Sequence, residues 1–241
     1  MLSGNKVKII ACITMLIDHI GLFLFPDSLC LRAVGRIAFP LFAFFIAEGC
    51  RYTRNRKRYF LNVFTLAVLC QSVYFTEIFI NGVPDEMYLN VLFTFSLSII
   101  VCSAFFAFRD ALIKMKGLVS VLINGAVFVT ASFFSVFICV ILEENFSVSY
   151  RIEYGIVGVF LPLFASLFSN RWLKLAGFFA GVLLFTAVLG EDVWIYCFAL
   201  LSVPIIALYN GKRGKARFKY AFYLFYPIQF GVLYIISMLV N

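Results

Sequence analysis

The chain has 241 residues, of which 63% are apolar, 19% aromatic and only 13% charged. A soluble domain runs to about 45–50% apolar and about 25% charged, so this excess is too large for a water-exposed surface and excludes a soluble globule. The net charge of +8 would suit nucleic acid in a soluble chain; in a membrane chain it reports basic cytoplasmic loops, and the positions of the charges decide between the two.

A helix needs about 20 apolar residues to cross a bilayer. Polar punctuation divides the chain into nine such runs, at about 6–25, 32–50, 59–79, 89–108, 118–142, 152–169, 172–189, 193–210 and 219–239. The first run is too long for a signal-peptide core and lacks a small-residue cleavage site, so it is expected to stay as the first span. The breaks are Pro26-Asp27-Ser28, Arg51–Arg58, Asn81-Gly82-Val83-Pro84-Asp85, Lys114–Gly117, Glu143–Asn145, Asn170-Arg171, Gly190-Glu191-Asp192 and Asn210–Gly214. The sixth to eighth runs are short and closely joined, so a count of eight or ten spans also fits the pattern. The expectation is an all-α, polytopic transmembrane bundle of about nine spans, forming a single integral-membrane domain over 1–241. Seven cysteines form no CxxC and lie mostly inside apolar runs, which suits small core residues rather than disulfides or metal ligands.

The charges orient the bundle. With the N-terminus inside, alternate loops collect Lys6 and Lys8, the Arg51–Arg58 stretch, Arg109 with Lys114 and Lys116, Arg171 with Lys174, and Lys212, Arg213, Lys215, Arg217 and Lys219. The opposite loops collect Asp27, Glu77, Asp85, Glu86, Glu143, Glu144, Glu153, Glu191 and Asp192, with few basic residues. This is the positive-inside pattern. It predicts a cytoplasmic N-terminus in the cell membrane and explains the basic excess without nucleic acid.

Ionisable side chains inside spans cost at least about 2.5–3.5 kcal/mol each and so need a partner or a purpose. Asp18 and His19, the only histidine, lie in the first run, roughly 16 Å beyond Lys8 along a helix. Arg32 and Arg36 enter the second run from the other side, which puts Asp18, His19 and Arg36 at a shared depth. Adjacent helical residues point about 100° apart, so the simplest arrangement pairs Asp18 with Arg36 and leaves His19 facing a cavity. Gln71, Tyr226 and Gln229 fall at a similar depth, and Pro227 interrupts the last helix. A buried Asp–Arg pair also serves as a plain brace, and Gln71 and Gln229 suit interhelical hydrogen bonding. Glu48 sits one turn from the basic Arg51–Arg58 loop.

One histidine and no intramembrane His/Cys cluster argue against a metal or haem. No phosphate-binding glycine motif occurs, and no serine is placed as a triad nucleophile. What remains is one histidine base beside a carboxylate and an arginine suited to developing negative charge.

The run Lys8-Ile9-Ile10 through Met15-Leu16-Ile17-Asp18-His19-Ile20-Gly21, then Leu31-Arg32-Ala33-Val34-Gly35-Arg36-Ile37-Ala38-Phe39-Pro40, then Glu48-Gly49 and Thr53-Arg54-Asn55-Arg56-Lys57-Arg58-Tyr59, resembles the TraX family. Cys70-Gln71-Ser72, Asn90–Thr94, Glu153–Gly158 and Phe222–Pro227 extend the likeness over nearly the whole chain. TraX proteins are associated with N-terminal acetylation of conjugative-pilus pilin and resemble a wider group of transmembrane acyltransferases. The resemblance implies transfer of an acetyl group from cytoplasmic acetyl-CoA to an acceptor at or across the membrane, through His19 supported by Asp18 and Arg36. The sequence departs from that pattern twice. Gln229 stands where a histidine follows the Tyr-Pro pair in the family, and Glu153 stands where an aspartate is common. His19 is thereby left to act alone or with Tyr226, as a base or as a transient acetyl carrier.

On this reading Arg54, Arg56, Lys57, Arg58, Lys212 and Arg213 meet the CoA phosphates. Arg32, Glu48, Gln71, Glu153, Tyr226 and Gln229 line the reaction space. The partners are acetyl-CoA, the bilayer and an acceptor that is a pilin-like protein, a peptide or a glycan; no metal is called for. Two other classes suit the same residues: a proton-coupled transporter using the His–Asp–Arg set as a relay, and a noncatalytic pilus or envelope assembly factor.

Overall fold

A computed structural model describes residues 1–81, 86–144, 149–189, 193–214 and 219–240. Asn145, Gly82 to Asp85, Gly190 to Asp192, Lys215 and Arg217, invoked above as breaks or loop charges, lie outside the described residues.

The chain is helical. In order come α1 Gly4–Leu24, α2 Leu29–Gly35, α3 Ala38–Tyr52, α4 Arg56–Asn81, a strand β1 Glu86–Leu89, α5 Val91–Ile113, α6 Leu118–Glu144, a strand β2 Ser149–Ile152, α7 Gly155–Ser166, α8 Arg171–Val188, α9 Val193–Cys197, a 3-10 turn Phe198–Leu201, α10 Ser202–Ala207 and α11 Lys219–Val240. Each of the nine apolar runs carries helix. Gly4–Leu24, Leu29–Tyr52, Val91–Ile113, Leu118–Ile141 and Arg171–Val188 are long and apolar enough to cross a membrane. Gly155–Ser166, Trp194–Ala207 and Leu224–Val240 are shorter apolar helices.

The polar punctuation works as capping chemistry. Asn90 Oδ1 accepts the Leu92 N–H and Asn170 Oδ1 accepts from Trp172 and Leu173, so each asparagine satisfies first-turn donors that no helical carbonyl reaches. Asn55 Oδ1 does the same for Arg58 at the start of α4. The break after α5 is a Schellman turn: Lys116 N–H reaches Ala111 O and Met115 N–H reaches Leu112 O, with Met115 left-handed at φ 47°.

Two of the apolar runs are not single helices. The second is interrupted at Arg36-Ile37, between α2 and α3. Pro40, in the first turn of α3, has no N–H to give the Arg36 carbonyl, so the helix is cheaply broken there. Pro204 acts likewise on the Leu200 carbonyl, within the 3-10 turn between α9 and α10.

The chain forms two compact units, Met1–Phe44 with Asn170–Asn241, and Phe45–Ser169. In the first, α1 packs against α2 and α11, α2 also touches α9, and α8 packs on α9, α10 and the 3-10 turn. Leu2 pairs in parallel with Tyr209, and the Gly4 and Asn5 N–H groups donate to Lys212 O and Arg213 O at 2.8 and 3.2 Å. The orphan donors at the start of α1 are therefore satisfied by the loop after α10. Stacking of Phe39 on Phe185 and edge contact of Phe44 with Phe178 and Tyr209 fill the interior of this unit.

In the second unit α5 is central, contacting α4, α6 and α7. Leu97 and Val101 from α5 meet Cys139, Ile152 and Val159 in its core. The apolar pattern gave no sign of β1 and β2, which pair in parallel with Glu86 opposite Ser149 and Leu89 opposite Ile152. Each strand runs straight into a helix, so the pair fixes the starts of α5 and α7 beside each other. Only 6% of the apolar window of α6 is buried; Leu122, Ile123, Val129, Phe133 and Phe137 are exposed, as lipid-facing residues are in a bilayer.

Candidate active site

The first unit gathers six of the residues singled out in the sequence: Asp18, His19, Arg32, Arg36, Tyr226 and Gln229. Asp18 and His19 sit near the end of α1, and both are 9% exposed. As expected from their 100° separation, they turn to different neighbours.

Asp18 faces α2. Its Oδ1 forms an ion pair with Arg32 Nη1 at 3.0 Å and accepts from Arg36 Nη2 at 3.1 Å, so one carboxylate oxygen holds two guanidinium groups. The pairing of Asp18 with Arg36 was expected; the share taken by Arg32 was not. Arg36 also donates from Nε to Arg32 O at 3.3 Å and lies over the Tyr196 ring at 5.2 Å. It is 6% exposed, against 28% for the Arg32 side chain. Gly35 makes the approach possible: a Cβ there would overlap Asp18 Cβ, Cγ and Oδ1.

His19 faces α11. Its Nδ1 lies 3.0 Å from Gln229 Nε2. Edge-on rings pack around the imidazole, Tyr226 at 5.8 Å, Phe230 at 5.7 Å and Phe23 at 6.4 Å between centroids. Phe23 in turn meets Phe230 and Tyr234. Tyr226, Phe230 and Tyr234 recur every fourth residue, the spacing that stacks side chains on one helix face; that periodicity, with Gln229 beside it, was the available signal for this wall. Gln229 is 6% exposed, and its Oε1 is buried with no hydrogen-bond partner among the described residues.

Gln71 and Glu153 belong to the second unit. Gln71 donates to Tyr88 O at 3.1 Å and accepts from Asn90 N and Nδ2 at 3.0 and 2.9 Å, while Asn90 Nδ2 also reaches Ala67 O at 2.9 Å. This is the interhelical hydrogen-bonding role anticipated for it. Glu153 donates from its backbone N–H to Leu89 O at 3.1 Å and accepts at its carbonyl from Thr94 Oγ1 at 2.6 Å. Glu48 is half-buried on α3. Arg54, Lys57 and Arg58 are exposed, and half-buried Arg56 donates to Cys50 O at 3.3 Å beneath the Phe106 ring. Lys212 and Arg213, exposed in the first unit, offer their carbonyls to α1. No group of three or more His, Cys, Asp or Glu that would hold a metal occurs among the described residues.

Several helices long and apolar enough to cross a membrane, one of them carrying the buried His19 and the carboxylate that holds two arginines, define a multi-pass membrane protein with an ionisable site inside a span-length helix. The chain belongs to the TraX protein family, whose model matches residues 3–237. It is 28% identical to a probable fimbrial assembly protein FimC, serogroup H1, of Dichelobacter nodosus, over 96% of this chain and 94% of that protein. It is also 35% identical to the uncharacterized protein RP591 of Rickettsia prowazekii (strain Madrid E), over 37% of this chain and 28% of that one. No solved structure matches it significantly.

Proposed function

We propose that this chain is an acetyltransferase of the cell membrane that moves an acetyl group from cytoplasmic acetyl-CoA to a nucleophile on an acceptor at or across the bilayer. One observation carries the reading: the chain's only histidine is buried on a bilayer-length helix, next in sequence to a carboxylate that holds two arginines. An imidazole and three charges are costly in that setting, which supports a role beyond a plain brace.

The charge alternation supports a cytoplasmic N-terminus and about nine crossings, with the shorter helices completing the bundle. Exposed Lys212 and Arg213, in the same unit as His19, suit the phosphates of CoA; Arg54, Arg56, Lys57 and Arg58, in the second unit, have the same chemistry. His19 removes the proton of the attacking amine or hydroxyl, or accepts the acetyl group in passing. Asp18 holds Arg36 and Arg32 beside the histidine, where guanidinium charge favours the negative charge that develops on the acetyl oxygen. Pilin acetylation in the TraX family and the fimbrial-assembly name of the D. nodosus relative support a pilin-like protein as acceptor; peptides and glycans offer the same nucleophiles.

Purified protein in proteoliposomes, given radiolabelled acetyl-CoA and candidate acceptors, is expected to release CoA and label the acceptor, and His19→Ala to abolish both. CoA turnover unchanged by that substitution removes His19 from the mechanism. Solute uptake without CoA turnover makes the chain a carrier instead.

A further inference from the structure

The side chain against the reactive ring is an amide, in a place where a titrating group is expected from the family pattern. One polar atom of the Gln229 carboxamide lies 3.0 Å from His19 Nδ1, and the other is buried without a partner among the described residues. The two ends of a carboxamide have the same shape, so the proton on the ring decides which end faces it. With the NH2 group on Nδ1, the ring proton sits on Nε2 and no lone pair is left there for a base. Turned over, the carbonyl accepts Nδ1–H, and Nε2 carries the lone pair. Nε2 has no hydrogen-bond partner among the described residues, so it is the nitrogen whose lone pair no protein group takes up.

In either orientation one amide atom stays buried and unmatched, at a cost of about 1–3 kcal/mol. With the carbonyl on Nδ1–H, the unmatched atom is the nitrogen, a donor adjoining the ring. The Arg36 guanidinium, the other donor suited to an oxyanion, is bonded to Asp18 Oδ1 and Arg32 O, on the α2 side of α1.

Resting on the acetyltransferase reading, we propose that Gln229 bridges His19 and the reacting acetyl group, its carbonyl holding the proton on Nδ1 and its NH2 donating to the acetyl carbonyl oxygen. His19 Nε2 takes the proton of the acceptor amine or hydroxyl, and the freed nucleophile bonds to the acetyl carbon. The carbon–sulfur bond then breaks, and the departing CoA thiolate takes the proton back from Nε2. Acetylated acceptor and CoA thiol result, and the enzyme is unchanged. A second imidazole would also carry one donor and one acceptor but would titrate; the amide does not.

Because His19 is the only histidine, labelling the full-length protein with 15N-histidine gives one pair of ring nitrogen signals, which report the tautomer without any activity. The expected result is a neutral ring protonated on Nδ1. Among the described residues, the charged or titrating groups around it are Asp18 on its own helix, Arg32 and Arg36 at α2, and Tyr226 on α11. Gln229→Glu keeps an acceptor for Nδ1–H and removes the NH2 donor. It is expected to retain the Nδ1–H tautomer, to raise the pH at which the ring titrates, and to lower kcat by about 100- to 1,000-fold with little change in KM for acetyl-CoA. Gln229→Leu removes both functions and is expected to move the ring proton to Nε2. A wild-type ring protonated on Nε2, or a tautomer and pH profile untouched by both substitutions, overturns the proposal. If wild-type protein transfers no acetyl group at all, the failure lies with the acetyltransferase reading, and the tautomer measurement still decides the contact.

Discussion

Gly35→Ala tests the geometry of the charged centre with a single methyl group. A Cβ at residue 35 overlaps Cβ, Cγ and Oδ1 of Asp18, and ordinary carbon contacts begin at about 3.5 Å, so α1 and α2 must separate by more than about 1 Å. The two contacts at Asp18 Oδ1, 3.0 and 3.1 Å long, have no room for that displacement and stay intact only if the arginines re-aim. Overpacking alone costs about 1–3 kcal/mol, and separating a buried ion pair adds to it. A loss of about 3 kcal/mol corresponds to a fall in Tm of roughly 6–12 °C for a chain of this size. Heating detergent-solubilised protein and following the fraction that stays monodisperse measures it, with acetyl-CoA turnover read on the same samples. Gly231→Ala is the control: its added methyl meets nothing within 4 Å, and a helical Gly→Ala change is expected to stabilise by about 0.5–1 kcal/mol. If Gly35→Ala melts and turns over like wild type, α1 and α2 do not cross at Asp18 and the account of the centre is wrong.

Asn90→Ala removes the cap of α5 together with bonds to Ala67 and Gln71; a loss of about 2–4 kcal/mol is expected in the same melting assay. Tyr196→Phe keeps the ring beneath Arg36 and is expected to be neutral, whereas Tyr196→Leu loses about 0.5–2 kcal/mol; equal Tm values for the two would show that the ring face contributes nothing. Met115→Gly relieves a left-handed residue in an exposed turn and is expected to raise Tm, by roughly 0.5–1 kcal/mol in stability.

Membrane character and the helical runs were legible in the sequence because each span must satisfy its own backbone and bury or expose its own apolar length, a property of consecutive residues. The break at Asn170 proved to be a helix start for the same local reason, whereas Asn90, inside the fourth apolar run, was passed over as the cap of α5. The pairing of Asp18 with Arg36 was also readable, since two short runs joined by a tight turn must lie side by side. The breaks at Arg36-Ile37 and around Leu200 were signalled by Pro40 and Pro204, yet the apolar count passed over both.

Tertiary structure decided the rest. Nothing local distinguishes Glu86–Leu89 and Ser149–Ile152 as partners, because a parallel ribbon joins segments that are far apart in the chain. His19 and Gln229 are 210 residues apart, and their meeting depends on how α11 packs on α1. Which carboxylate oxygen receives two arginines, and which glycine lets the helices approach, depends on distances of a few tenths of an ångström between elements. The chain alone set which residues are costly inside a bilayer; only packing set which of them face one another, because contact is a property of pairs and not of sequence.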